Sequence, residues 1–275
     1  MQDFLKLTEW RLRLMRKPLL WVVLLMGPAE FLAILADMFL FSERFYAPLS
    51  VYFFAAAVVL VFCMVAAVLL SFFSVFKQNH HTNFTHSLML LPVQRSTLYW
   101  SGVASGLLSV WFIAAAQVVW YLVLYVPVNF CSNFYTVHTA QNMLSNSLLT
   151  EMPVGSAFLA NGLWNTMMHT PAMQMLFPRN LPTLLLVLVL IAAPVCCLHA
   201  ISCHRGPSRT ASTVLLVVSA LLSLVGSRLL YLSVTNLYHP WGDVVHLRNI
   251  LILQLVLIAA VSWWGIHSLN RSENL

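Results

Sequence analysis

The sequence predicts an all-α membrane protein with six transmembrane helices, an N-terminal amphipathic interfacial helix and both termini in the cytoplasm. Three observations predict it. Only 8% of the 275 residues are charged and 60% are hydrophobic. A soluble domain carries about 25% charged residues, so this chain could not coat itself with a water-facing surface. Six apolar runs, at about 18–41, 50–76, 98–128, 181–201, 211–233 and 248–269, each reach the ~20 residues of a spanning helix. The basic residues are also unevenly shared among the segments between the runs, which fixes an orientation.

Residues 2–17, QDFLKLTEWRLRLMRK, come first. Phe4, Leu5, Leu7, Leu12, Leu14 and Met15 can share one broad helical face, while Lys6, Glu9, Arg13, Arg16 and Lys17 occupy the rest. This pattern fits a basic amphipathic helix lying on an anionic leaflet; the alternative is a simple N-terminal extension of the first span. The charged leader is long and the apolar run after it exceeds a signal-peptide core, so a retained first span is expected rather than a cleaved signal. The domain reading is thus an interfacial helix over 1–17 and a single transmembrane domain over 18–275.

The six runs are even in number, so the termini share one side. With the N-terminus inside, the cytoplasmic segments hold Lys6, Arg11, Arg13, Arg16, Lys17, Lys77, Arg95, Arg205, Arg209 and Arg271. The outer segments hold Arg44, Arg179 and Arg248. The bias places both termini in the cytoplasm, with Phe76–Gly102 as the first cytoplasmic loop and 202–210 as the second. Residues 129–180 are too long for a tight connection and too polar for a clean span. They are read as a partly helical extracellular segment, with an interfacial or re-entrant helix within Gly155–Phe177. Gly102 and Gly106 open the third span at a spacing that lets helices approach closely.

Charges inside spans are costly in hydrocarbon and so are site candidates. Glu30 lies mid-span beside Pro28, and Asp37 is seven residues further on, near the same face. Arg228 lies in the fifth span. At 1.5 Å per residue, Asp37 and Arg228 sit about 28 and about 25 Å from their cytoplasmic ends. An ion pair between them is one expectation, separate snorkelling to the headgroups the other. Glu30 either lines a polar path or is a protonated carboxyl bonded to neighbouring backbone.

Other chemistry lacks its residues. His80, His81 and His86 do not have metal-ligand spacing and no H-E-x-x-H pair occurs. The five cysteines fit no zinc or disulfide pattern, and Cys196 and Cys197 are adjacent. No catalytic set or metal is expected, and no cofactor bound by this chain. A G-x-x-x-x-G-K-[ST] phosphate loop is absent, so nucleotide hydrolysis by that route belongs elsewhere. The basic residues follow topology and do not form a nucleic-acid patch.

One segment carries a resemblance. After two runs comes Phe76–Gly102, FKQNHHTNFTHSLMLLPVQRSTLYWSG, whose Leu90-Leu91-Pro92-Val93-Gln94-Arg95 step leads directly into the third run. With the amphipathic leader and the six-run layout, this resembles the membrane (permease) subunit of a bacterial type-2 ABC exporter. In that family the step after the second span reads like S-L-P-V-S-R; here Gln94 replaces the usual serine and Ser87 is displaced. The resemblance implies that the loop docks into a separate ATPase subunit. Phe84, Leu88, Leu90, Leu91, Pro92 and Arg95 would form the coupling element, with Arg95 alternatively a headgroup-binding residue. It also implies two short re-entrant helices around Ser233–Val245.

The function expected is therefore a permease subunit moving a peptide, lipid or antimicrobial out of the cytoplasm across the bacterial plasma membrane. Energy would come from ATP and Mg in a partner ATPase, and the permease would pair with itself or with a related subunit. The alternatives are a non-transporting polytopic protein, such as an immunity or assembly factor, and an intramembrane enzyme.

Overall fold

The computed structural model describes residues 2–40, 53–80, 94–144, 162–170, 173, 181–203, 207–235 and 240–271. Among these every regular element is an α-helix: α1 (Gln2–Leu40), α2 (Phe54–His80), α3 (Arg95–Leu144), α4 (Leu163–His169), α5 (Leu181–Cys203), α6 (Pro207–Thr235) and α7 (Pro240–Arg271). Six of the seven are long and apolar enough to cross a membrane, α4 being the exception. The chain is a multi-pass, all-α membrane protein.

Burial supports that reading from a second direction. Large apolar side chains such as Trp21, Leu32, Phe62, Phe130, Leu224 and Trp263 are more than 60% exposed. Polar ones, including Ser71, Ser105, Gln117, His199, Ser219 and Gln254, are buried between helices. In water such an arrangement would leave the apolar faces unsolvated; in a bilayer they face chains as apolar as themselves, and helices associate through small and polar residues.

Three element boundaries differ from the sequence reading. Residues 2–17 are continuous with the first span in the single helix α1. The face they bury also differs. Thr8, Arg11, Met15 and Leu19 are buried at helical spacing, while Leu5 and Leu14 are more than half exposed. α3 runs on to Leu144 through Pro127, so the segment expected to begin at 129 starts as helix; proline removes one ladder bond without ending a helix whose neighbours hold it. The third difference lies at the last connection. Pro240 is the first residue of α7, where a missing N–H costs nothing. Residues 233–235 end α6 and 240–245 open α7, in place of two short re-entrant helices. Within the expected interfacial stretch, α4 is a seven-residue helix.

Two compact units divide the helices. One comprises Met1–Leu19, Ala66–Trp111 and Arg179–Leu275; the other comprises Leu20–Val65 and Phe112–Pro178. In the first unit, Tyr99 and Val103 of α3 pack with Val195, Cys196, Cys197 and Ala200 of α5 and with Val261 of α7. α6 joins α7 through Gln254, whose Nε2 donates to the Ser219 carbonyl at 3.0 Å and to Ser223 Oγ at 3.1 Å. In the second unit, Ile34 and Met38 of α1 pack with Phe53, with Ala56 of α2, with Tyr121, Leu124 and Val128 of α3, and with Met173.

Candidate functional site

The first unit concentrates its polar side chains at the start of α3. Arg11 is 1% exposed, and its guanidinium NH1 donates to the Leu98 carbonyl at 2.9 Å. Arg95, half-buried at the first position of α3, donates to the carbonyl of Leu269 near the end of α7. The first turn of α3 is therefore tied to two other helices, α1 and α7. The Gln94 carbonyl accepts from the Thr97 amide at 2.9 Å, which sets the helix start directly after the Leu-Pro-Val-x step.

Close approach behind this turn depends on two glycines. A Cβ on Gly102 would lie 2.8 Å from Arg11 NH1 and 3.2 Å from His199 Nδ1. A Cβ on Gly106 would lie 3.0 Å from Val195 Cγ1 and 3.1 Å from His199 Nε2. The small-residue pair expected from the sequence is thus at a helix contact within this unit. It admits Arg11 and the His199 ring, which longer side chains would exclude.

His199, 1% exposed, approaches Ser71 Oγ through Nε2 at 3.3 Å, and Ser71 lies 3.2 Å from Ser105 Oγ. A serine beside an imidazole is the start of a nucleophile–base pair. Three features argue against that use in this conformation. Both residues are buried, so no substrate reaches them. Among the described residues His199 Nδ1 has no hydrogen-bond partner, so none of their carboxylates orients the ring. Ser105 spends its own hydroxyl on the Gly102 carbonyl at 2.7 Å. The cluster is a polar seam that holds α2, α3 and α5 together, and Arg11 Nε is a second unpartnered atom within it.

Among the described residues, one predicted site residue is completely buried, and it lies in the second unit. Glu30 is 0% exposed and accepts from Gln117 Nε2 of α3 at 3.2 Å. Its other oxygen, Oε1, and the Gln117 Oε1 atom are buried without partners among the described residues. One turn earlier on α1, a Cβ on Gly27 would fall well inside contact distance of the Trp120 indole. That indole is pinned by its Nε1–H, which donates to the Val23 carbonyl at 2.8 Å. The partner expected for Glu30 was backbone or a polar path, and Gln117 was not foreseen. Its signal was present, as the one amide in the apolar run 98–128.

The remaining predicted residues fall as follows. Phe84, Leu88, Leu90, Leu91 and Pro92 lie outside the described residues, as do His81 and His86. Asp37 is half-buried on α1 in the second unit, and Arg228 is exposed on α6 in the first. The ion pair between them remains an expectation. Arg11 was counted only as a topology-setting charge, because no sequence rule marks which arginine of a basic leader turns inward.

No protein-family model matches the chain, and it matches no curated protein and no solved structure.

Proposed function

We propose that this chain is the permease subunit of an ATP-driven exporter, with both termini in the cytoplasm of a bacterial cell. A separate ATPase subunit holds ATP and Mg, and the substrate is a peptide, a lipid or an antimicrobial compound. Two permease chains, identical or related, complete the transporter. The single observation that supports this reading is the anchoring of the first turn of α3. A coupling loop must pass movement to the spans, and a loop that ends in a freely hinged helix would absorb it. The segment 81–93 instead leads into a turn clamped by Arg95 to α7 and by Arg11 to α1. Displacement of Pro92 and Arg95 then moves three helices together. Such transmission through a packed, hydrogen-bonded element is the physical requirement for coupling.

The test is ATP hydrolysis by the tagged chain isolated with its native membrane partners. The exporter reading expects Mg-dependent hydrolysis to co-purify with the wild-type chain, to fall with Phe84→Ala and to uncouple from substrate export with Arg95→Ala. A chain that brings down no ATPase, and whose Phe84 and Arg95 variants behave as wild type, would overturn it.

The Ser71–His199 contact is the observation that would favour an intramembrane hydrolase instead. Ser71→Ala discriminates the two. It abolishes activity in a hydrolase, whereas in the exporter it removes two weak contacts, to Ser105 and to His199, and leaves transport intact.

A further inference from the structure

The pair of unsatisfied oxygens at Glu30 and Gln117 has a simple chemical resolution. An ionised carboxylate only accepts hydrogen bonds, and a glutamine carbonyl also only accepts. Gln117 Nε2 already serves one carboxylate oxygen at 3.2 Å. The two remaining oxygens, one from each side chain, are both buried and both lack a donor among the described residues. Leaving two buried acceptors bare is costly, most of all for the charged one. Within a span no water compensates.

We propose that Glu30 and Gln117 form a proton-binding site within the membrane, occupied in this conformation by one proton on Glu30 Oε1. That hydroxyl donates to Gln117 Oε1 while Gln117 Nε2 donates to Glu30 Oε2, closing a cyclic acid–amide pair. One proton satisfies both orphaned oxygens and removes the buried charge. The conclusion holds with the amide turned over, since the 3.2 Å contact then becomes oxygen to oxygen and requires a proton outright. The proton is taken up from water and returned to it. Its loss would leave a carboxylate facing an amide oxygen in a site closed to solvent, so release requires α1 and α3 to part here and admit water. Proton occupancy and the closed packing of these helices are therefore linked.

The surroundings fit a neutral site. From α2 the titratable group within electrostatic reach is the Cys63 thiol, and from α3 Gln117 is uncharged. Tyr121, one turn further along α3, shares a contact with Thr170 Oγ1 at 3.4 Å. Among the described residues no salt bridge to Glu30 is present. On its own helix Asp37 lies two turns away.

The inference is independent of the exporter reading, and its test needs no transport assay. Infrared spectra of the purified protein at neutral pH should contain the carbonyl stretch of a protonated carboxylic acid. That band should vanish in Glu30→Gln, an uncharged mimic that preserves the paired bonds. The melting midpoint of Glu30→Gln should stay within about 4 °C of wild type, and Glu30→Ala should fall further. Wild-type stability should decline as pH rises from about 4, where an unfolded glutamate begins to release the proton that the folded state still holds; Glu30→Gln should lack this component. Gln117→Leu keeps the carboxyl but removes its partner, and should move the acid band to higher frequency. Three results would overturn the proposal: an acid band unchanged in Glu30→Gln, failure of Glu30→Gln to fold, or a carboxylate band whose loss accompanies sodium-dependent stability. The last would assign the site to a metal cation.

Discussion

Gly27→Ala probes the packing of α1 on α3 in the second unit. The added methyl enters space occupied by the Trp120 indole, which is rigid and held by its bond to the Val23 carbonyl at 2.8 Å. The ring cannot yield without breaking that bond. Overpacking of this kind costs about 1–3 kcal/mol, and the lost hydrogen bond about 0.5–1.5 kcal/mol. Replacing a helical glycine by alanine returns about 1 kcal/mol. The net loss should therefore lie between about 0.5 and 3.5 kcal/mol, centred near about 2 kcal/mol. Reversible unfolding of the purified protein in mixed micelles, followed by tryptophan fluorescence and far-UV circular dichroism, measures it. In a Trp120→Leu background the same substitution should cost little, since the obstructing ring is gone. A Gly27→Ala protein stabilised by the full propensity gain, or an equal loss with and without Trp120, would refute the reasoning.

Four further outcomes follow from the first unit. Gly102→Ala should cost less than Gly27→Ala, because the nearest atom is the tip of the Arg11 side chain, which can shift; the same unfolding titration compares them. Arg11→Met should keep stability within about 1 kcal/mol of wild type, since burying a charge is itself costly and the Leu98 carbonyl still accepts from Ser101 Oγ at 3.0 Å. Arg11→Glu, which sets a carboxylate against that carbonyl, should fail to yield folded protein on size-exclusion chromatography. Gln254→Leu removes three contacts to Ser219 and Ser223; at about 0.6 kcal/mol for each interhelical bond in a membrane, the loss should approach about 2 kcal/mol in thermal unfolding.

The spans were legible because hydropathy is additive along the chain and needs no knowledge of neighbours. All six appear where the apolar runs lie. Helix ends were less legible, since Pro127 does not end α3, and Pro240 begins α7 inside the stretch expected to hold two re-entrant helices. Glu30 could be singled out from the sequence because a carboxylate in hydrocarbon demands an explanation. Its partner could not be, because the pairing with Gln117 spans 87 positions and depends on how α1 and α3 meet. The inward turn of Arg11 was hidden for a related reason. Its burial needs the space left by Gly102, and a helical wheel of residues 2–17 contains no such information. On that wheel Leu5 and Leu14 look like the buried face, whereas the helix turns Thr8 and Arg11 inward.

The central claim is that the segment ending at Arg95 faces the cytoplasm and passes the movement of an ATPase into α3. It is tested most directly by placing a photo-crosslinking amino acid at Phe84 or Leu88 and irradiating living cells. The account predicts a covalent adduct with a protein carrying a Walker-A motif, and no reaction of the same positions with a membrane-impermeant thiol or amine reagent after conversion to cysteine or lysine. Labelling of either position from outside the cell, or crosslinks to lipid alone, would contradict it.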